Sequence, residues 1–205
     1  APEWSAAAWH ARVATHGADA AVPGWRMVPF GEAYATNAAT VFAPLADVAG
    51  PLAINQERGS FTLTTARTCG GFAESGEVRA GPLAFTVSGA PATVWVSALD
   101  NDPVESCARL LLTHLTDVQN TGVKYAERAR KTLLSQGALP HLVRAGTADV
   151  TLTLRSPEAY SVYALATNGR RLDKVAAKAE GGALRFTASV AGPDGARMLY
   201  EIVKE

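Results

Sequence analysis

The chain has 205 residues, which is enough for one large domain or one domain with an appendage but is short for a (β/α)8-barrel enzyme of about 250 residues. Its 19 Lys and Arg residues balance 19 Asp and Glu residues, so we expect neither nucleic-acid binding nor electrostatic binding to a membrane. Hydrophobic residues make up 48% and charged residues 19%, which is typical of a folded protein with its own core, and no apolar run is long enough for a transmembrane helix.

The N-terminal part of the chain differs in composition from the rest. Residues 3–16 are rich in alanine, with apolar side chains at helical spacing, and predict a short helix that ends near Gly17. Residues 17–46 contain three prolines and several aromatic residues but no long periodic run. We therefore interpret residues 1–46 as a helix and extended arm or linker, and residues 47–205 as a separate β-sandwich domain.

From about residue 50 the apolar side chains recur with a period of two. They alternate with Thr, Ser or small residues in five segments, 61–63, 83–87, 150–154, 184–190 and 198–202. Turn-forming residues such as Asn168-Gly169 separate these segments. One apolar face and one polar face are typical of strands in an antiparallel sheet. We predict an all-β fold, an antiparallel β-sandwich with a short N-terminal helix and arm.

Residues 126–137 leave two alternatives open. Glu127 and Lys131 are spaced to pair on a helix that ends at Gly137. An irregular excursion that leads into a strand near residues 132–135 fits the same residues equally well.

The chain lacks the motifs of common catalytic sites. It has no G-x-S-x-G elbow, no G-x-x-x-x-G-K-[ST] loop, no H-E-x-x-H and no C-x-x-C. His114 stands beside Thr116 and Asp117 at the end of an apolar run, and we interpret it as a strand-end histidine hydrogen-bonded to a loop. We do not expect the chain to be an enzyme on its own. The remaining catalytic alternative is a small hydrolase whose groups meet only in the fold.

Two pairs of residues carry open alternatives. Cys69 and Cys107, the only cysteines, form either a free buried pair or a disulfide, which would fit a secreted protein. Asp100 and Asp102 lie in one turn and offer oxygen ligands to Ca²⁺, although such residues more commonly cap their own backbone. Metal ligation normally needs three or four convergent ligands, and the sequence offers no such cluster. We therefore expect no other metal or cofactor.

Exposed aromatic side chains are the usual platforms for sugars, because a flat ring covers the apolar face of a pyranose. Tyr125 follows the loop-like residues 120–122 and is the best surface candidate for carbohydrate binding. Trp95 lies in the apolar segment 92–99, where we expect it to be part of the core. Three further candidates lie in the N-terminal arm, where they serve either a sugar or the packing of the arm: Trp4, Trp9 and Trp25.

Several stretches of the body carry a family resemblance. They are residues 59–68 (GSFTLTTART), 99–103 (LDNDP), 109–113 (RLLLT), 120–122 (NTG), 160–165 (YSVYAL), 169–171 (GRR) and 200–202 (YEI). The first resembles the strand pattern G-x-F-x-hydrophobic-x-T-P-R-T, and the next two resemble the hairpin pattern L-D-G-x-P … S-x-R-hydrophobic-L. In this order and spacing, the body resembles the C-terminal β-sandwich accessory domain of bacterial (β/α)8-barrel glycoside hydrolases.

The chain departs from that pattern at four positions. Ala66 replaces Pro and Asn101 replaces Gly, while Cys69 and Cys107 stand where the pattern has other polar residues. Two coincident replacements by cysteine favour a bridge between the two strands.

The resemblance implies a non-catalytic accessory domain of a secreted or periplasmic bacterial enzyme. Its partner would be the catalytic barrel domain of the same parent enzyme, which this chain does not contain. No catalytic residue is carried over, because the catalytic acids of such enzymes lie on the barrel. The alternative is a free-standing carbohydrate-binding module that uses exposed aromatic side chains to bind a polysaccharide or oligosaccharide.

Overall fold

The computed structural model describes residues 52–55, 59–193 and 195–205. The predicted N-terminal helix and arm, the boundary at residues 46 and 47, and the three arm tryptophans (Trp4, Trp9 and Trp25) lie outside the described residues. The chain divides into two units, Ala1–Ile54 and Asn55–Glu205. Of the first unit, only residues 52–54 are described, and they belong to strand β1 (Leu52–Asn55).

The second unit consists almost entirely of antiparallel strands. All five segments that were predicted to alternate lie in strands, to within one residue at their ends. Within the described part of the chain, no helix has the length and apolarity needed to span a bilayer. The strands are β2 (Ser60–Thr64), β3 (Thr68–Ala73), β4 (Gly76–Ala80), β5 (Leu83–Ser88), β6 (Ala92–Ala98), β7 (Arg109–Leu115), β8 (Val118–Thr121), β9 (Lys124–Tyr125), β10 (Leu133–Ser135), β11 (Ala138–Val143), β12 (Thr147–Thr153), β13 (Tyr160–Leu165), β14 (Arg171–Val175), β15 (Ala177–Glu180), β16 (Ala183–Ser189), β17 (Ala191–Gly192), β18 (Gly195–Ala196) and β19 (Leu199–Lys204).

Two sheets enclose the core. The larger sheet has the order β2-β3-β6-β7-β19-β13-β14 within this unit, and the smaller sheet has the order β15-β16-β12-β5-β4. Phe85 and Val150 of the smaller sheet belong to the same buried cluster as Leu112 and Ile202 of the larger one. Full burial of one such side chain stabilises the fold by about 1.5–3 kcal/mol. The prediction of an all-β antiparallel sandwich is confirmed.

Trp95 lies on the face of the larger sheet that points away from the core. Its neighbours in β6, Val94 and Val96, are fully buried, whereas Trp95 itself is half-buried. Its ring lies 5.9 Å from the ring of Phe61, centroid to centroid. A Cβ atom at Gly70 would lie 2.6 Å from Cε3 of Trp95, so only glycine allows this close approach of the indole to strand β3. The prediction of a core position for Trp95 is wrong, because alternation along β6 gives the core face to the two valines.

Between β7 and β12 the chain leaves the two sheets and forms two small ladders, β8 with β11 and β9 with β10. We call residues 116–144 the excursion. Of the two alternatives for residues 126–137, the excursion with a strand is the one found, and that strand is Leu133–Ser135. Glu127 pairs with no helical neighbour here: its side chain accepts a hydrogen bond from the Thr132 amide at 2.6 Å and closes a turn.

Candidate functional site

The two ends of the excursion are held together where it joins the sandwich. The Thr116 hydroxyl donates to the Arg144 carbonyl at 2.6 Å, and the Arg144 amide donates to the Asp117 carbonyl at 2.8 Å. Beyond this point Val118 faces Val143 across the ladder of β8 and β11. The excursion is therefore closed at its base by its own hydrogen bonds.

A pocket of about 310 Å³ lies in the excursion. Its apolar lining comes from Val118, Val123 and Leu133, together with the ring of Tyr125. Four polar side chains complete the lining: Gln119, Asn120, Gln136 and His141. The pocket thus combines an apolar wall with several polar side chains that can form hydrogen bonds.

A chain of hydrogen bonds orients His141 in this pocket. The side-chain amide of Asn120 donates to the backbone carbonyl of Gln136 at 2.9 Å. This bond turns the Oδ1 atom of Asn120 towards His141. That oxygen lies 2.8 Å from Nδ1 of His141, so in the neutral ring Nδ1 carries the proton. The Nε2 atom is then left as a hydrogen-bond acceptor.

Asp117 holds a second side chain of the pocket. Its Oδ2 atom accepts a hydrogen bond from Nε2 of Gln119 at 2.9 Å. Hydrogen bonds from Arg130, and to a smaller extent from Gln119, lower the pKa of Asp117. The guanidinium of Arg130 also lies 5.9 Å from the centroid of the Tyr125 ring, so the same cation connects Asp117 with the aromatic wall.

Of the predicted site residues, Tyr125 is the one that the structure places in this pocket. Asn120 stood in the loop that led to Tyr125, but no local pattern pointed to His141. It is brought to Asn120 by the pairing of β11 with β8, across 21 positions of sequence. A site assembled by such a long-range pairing leaves no spacing motif in the sequence.

Asp100 uses both oxygens of its carboxylate to hold backbone. Oδ1 accepts from the Asp102 amide at 2.9 Å, and Oδ2 accepts from the Ala108 amide at 2.8 Å. This is the capping role that Asp residues commonly take in turns. Among the described residues, no group of three or more His, Cys, Asp and Glu side chains is arranged to hold a metal ion. Calcium at Asp100 and Asp102 stays a prediction.

Cys69 and Cys107 are both buried, and the structure has them as free thiols. The Cys107 thiol donates to the Arg109 carbonyl at 2.7 Å. Burial raises the pKa of Cys69 to about 11, so its thiol is protonated at neutral pH. The structure therefore has the free pair, which is one of the two alternatives left open by the sequence.

His114 points into the core. It is fully buried, and within the described part of the molecule neither ring nitrogen has a hydrogen-bond partner. Its strand position is as predicted, at the end of β7, but the predicted hydrogen bond from its ring to a loop is absent from the described residues because Leu110, Leu112 and His114 share the inward face. Burial lowers the pKa of His114. The backbone of Ala188 lies close enough to the ring to oppose this shift in part, but not in the geometry of a hydrogen bond.

A charged cluster lies on the outer face of the larger sheet. Glu201 is buried to all but 3% of its surface and forms ion pairs at 2.5 Å with Nε of Arg109 and with Nε of Arg171. Hydrogen bonds from Arg171 and then Arg109 lower the pKa of Glu201, although burial acts in the opposite direction. The cluster ties β7, β19 and β14 together on that face.

The exposed apolar side chains are concentrated in one segment. Seven large apolar side chains are exposed among the described residues, and six of them lie between residues 115 and 142: Leu115, Val118, Leu133, Leu134, Leu139 and Leu142. The seventh, Leu99, lies elsewhere. Leu115 pairs with Thr93 near the start of β6, whereas Leu99 follows the end of that strand. The excursion therefore carries the main exposed apolar surface of the described unit.

No protein-family model, no curated protein and no solved structure matches this chain. Its function is therefore inferred from the geometry of the described residues.

Proposed function

We propose that the chain is a non-catalytic accessory domain of a bacterial carbohydrate-active enzyme and that its excursion packs on the catalytic barrel domain of the same parent enzyme. The observation that carries the proposal is the concentration of exposed leucine and valine side chains between residues 115 and 142. Because such an enzyme degrades polysaccharides that lie outside the cell, we also propose a secreted or periplasmic location.

Exposed apolar surface of this kind favours association with another protein surface. Leu139 is 73% exposed and Leu134 is 66% exposed. Removing apolar surface from water stabilises a contact by about 25 cal/mol per Å². Soluble monomers rarely expose large apolar patches, and patches with a polar rim commonly mark interaction sites. A partner that covers the excursion would remove this apolar surface from water.

Hydrogen–deuterium exchange tests the contact. The isolated chain is compared with the complete product of the gene that encodes it. We expect the amides of β10 and β11 to exchange more slowly in the complete product. Leu134→Asp and Leu139→Asp should abolish that protection, because a carboxylate would be buried without a partner. Leu99→Asp, at the far end of β6, is the matched control and should leave the protection intact.

Two outcomes would overturn the proposal. One is a complete gene product that contains no catalytic barrel domain, or in which β10 and β11 exchange at the same rate as in the isolated chain. The other is turnover by the isolated chain, measured on chromogenic glycosides and on polysaccharides, because an accessory domain without catalytic groups should hydrolyse none of them.

A second candidate function is carbohydrate binding by the chain itself. It is favoured by the position of Tyr125, whose ring is part of a pocket with several polar side chains. Aromatic rings with nearby hydrogen-bonding groups suit the two faces of a sugar ring. The two candidates share Val118 and Leu133, which are exposed and also line the pocket, but Leu134 and Leu139, the most exposed leucines of the excursion, line no part of it.

A further inference from the structure

We propose that the pocket of the excursion binds one uncharged sugar residue of a glycan chain, with the sugar packed against Tyr125 and one of its hydroxyl groups donating to Nε2 of His141. The proposal rests on the second candidate function and specifies its ligand. It does not depend on docking to a catalytic domain.

The pocket has the size of a small-molecule site. Its volume of about 310 Å³ lies at the lower end of the range of ligand pockets, which begins at about 300 Å³. Such a pocket accommodates a single sugar ring rather than a nucleotide or a large cofactor. Neighbouring sugar residues of the same chain would extend beyond it from the open side of the pocket.

The charges around the pocket select against an ionic ligand. None of the side chains that line it belongs to Asp, Glu, Lys or Arg. The nearest ion pair, Arg130 with Asp117, is closed on itself by two hydrogen bonds. A carboxylate, sulfate or phosphate group would therefore lose its hydration without gaining a counter-charge.

The polar groups that remain available suit hydroxyl groups. The Nε2 atom of His141 is an acceptor in the neutral ring, because Nδ1 faces Oδ1 of Asn120. Gln119 donates its amide nitrogen to Asp117 and so leaves its Oε1 atom as an acceptor. A sugar hydroxyl can donate to such atoms and accept from the Tyr125 hydroxyl.

These groups are already oriented before a ligand arrives. Asn120 is fixed by the Gln136 carbonyl and in turn fixes His141, while Asp117 fixes Gln119. Preorganised groups lose little conformational entropy on binding, so a single sugar residue can gain measurable affinity. For one such subsite we expect a dissociation constant on the order of 1 mM.

Titration of the ¹⁵N-labelled chain, followed by NMR, tests the proposal. The probes are cellotetraose, xylotetraose and mannotetraose as neutral glycans, and tetragalacturonate as an acidic counterpart of similar length. We expect at least one neutral probe to shift the amide signals of Asn120, Tyr125 and His141. Tetragalacturonate should bind more weakly than that probe by at least about tenfold, because no Lys or Arg lines the pocket and the nearby Arg130 is already paired with Asp117.

Variants then locate the site. Tyr125→Leu removes the aromatic wall, and His141→Phe keeps a ring but removes the acceptor; each should weaken binding by about tenfold. Leu134→Asp does not alter a lining residue and should leave sugar binding unchanged, although it is expected to disrupt docking. Tyr163→Leu, on strand β13 of the larger sheet, is a second control. The dispersion of the amide spectrum shows whether each variant is folded.

Three results would overturn the proposal: no shift of the pocket amides by any neutral probe at about 10 mM, binding that survives both pocket variants, or tetragalacturonate binding as tightly as the neutral glycans. None of them bears on docking, which is read from exchange in β10 and β11. Loss of docking protection would likewise leave the sugar titration unaffected, so the two proposals fail separately.

Discussion

Arg130 grips the carboxylate of Asp117 with both ends of its guanidinium, Nη1 to Oδ1 at 2.9 Å and Nη2 to Oδ2 at 2.6 Å. The contact joins the turn of the excursion to its first residues, across 13 positions of sequence. In this position the backbone of Arg130 is strained, because its φ of 56° lies in the left-handed region that favours glycine. The side chain is therefore held by Asp117 on one side and lies near Tyr125 on the other.

We expect Arg130→Ala to loosen the excursion without unfolding the sandwich. The pair is partly exposed, so its loss should cost about 1 kcal/mol or less. Arg130→Gly loses the same pair but relieves the left-handed backbone, by about 1 kcal/mol. Hydrogen–deuterium exchange of β8 to β11 should therefore show the least protection in Arg130→Ala, with Arg130→Gly close to the original chain because its two effects offset each other. Equal protection in all three would show that the ion pair does not hold the excursion.

His114 should reduce the stability of the sandwich. A buried polar ring without a hydrogen bond costs about 1–3 kcal/mol, so His114→Leu should raise the free energy of unfolding by a similar amount. His114→Gln is the matched variant, because it keeps a polar side chain but removes the titrating group. Urea denaturation at about pH 7.5 measures both changes. A loss of stability in His114→Leu would contradict this account.

The same residue should make stability depend on pH. Because burial lowers the pKa of His114 from 6.5 in the folded state, the unfolded chain takes up a proton first as the pH falls. Stability is therefore retained above pH 6.5 and falls between that value and the lower folded pKa. Both His114→Leu and His114→Gln should flatten the dependence between about pH 7.5 and about pH 5. If the stability of both variants depended on pH as that of the original chain does, groups other than His114 would be responsible.

Glu201 should stabilise the larger sheet through its two arginines. Glu201→Gln replaces a buried carboxylate that accepts two charge-assisted hydrogen bonds, and we expect a loss of about 1.5–3 kcal/mol at neutral pH. Because the folded pKa of Glu201 is lowered from 4.5, this contribution is present above pH 4.5 and is lost as the pH falls through the folded value. The difference between the two proteins should therefore shrink in acid.

Thermal unfolding at neutral and acidic pH measures this difference. Glu77→Gln is the matched control, since Glu77 pairs with Arg79 on the exposed surface, where side-chain exposures are 50% and 74%. Such a surface pair contributes between about 0 and 1 kcal/mol. If the two Glu→Gln variants lose stability equally, the burial of Glu201 has no special effect.

The two thiols should be hidden in the folded protein. With the pKa of Cys69 at about 11 and both side chains buried, the native chain should not react with a thiol reagent such as DTNB at about pH 8. After denaturation without a reductant, we expect two thiols per chain. A denatured chain with no reactive thiol would instead establish the disulfide between Cys69 and Cys107.

The strands were predictable because alternation is a local property. The segments 83–87 and 150–154 each present one apolar face, and the structure pairs them directly, with Val150 opposite Phe85. Which strands become neighbours was not predictable, since β12 lies between β5 and β16 through contacts that are remote in sequence. Trp95 shows the limit of composition within a strand. Segment 92–99 is apolar overall, but Thr93 and Ser97 share the face of Trp95, and alternation rather than composition reveals which face is buried.

The candidate site was predictable only in part. Tyr125 stood out because it follows a loop-like tripeptide, and the structure places it in the pocket. His141 could not be associated with it, because the register that brings His141 opposite Asn120 is interrupted by an irregularity between Ala138 and His141. Exposed leucines at residues 133–142 could have been noticed, but only the structure shows that they are left uncovered in the described unit.

The closure of the excursion at Thr116 and Arg144 makes it a replaceable cassette. Its two ends lie side by side, so a short turn can take the place of the whole segment, and a longer segment adds little loop-closure entropy. The sandwich contributes the folding core, while the cassette contributes most of the exposed apolar surface and the pocket. Substitutions in the cassette can therefore alter what the domain contacts without altering whether it folds, and the same junction offers a grafting point for foreign loops.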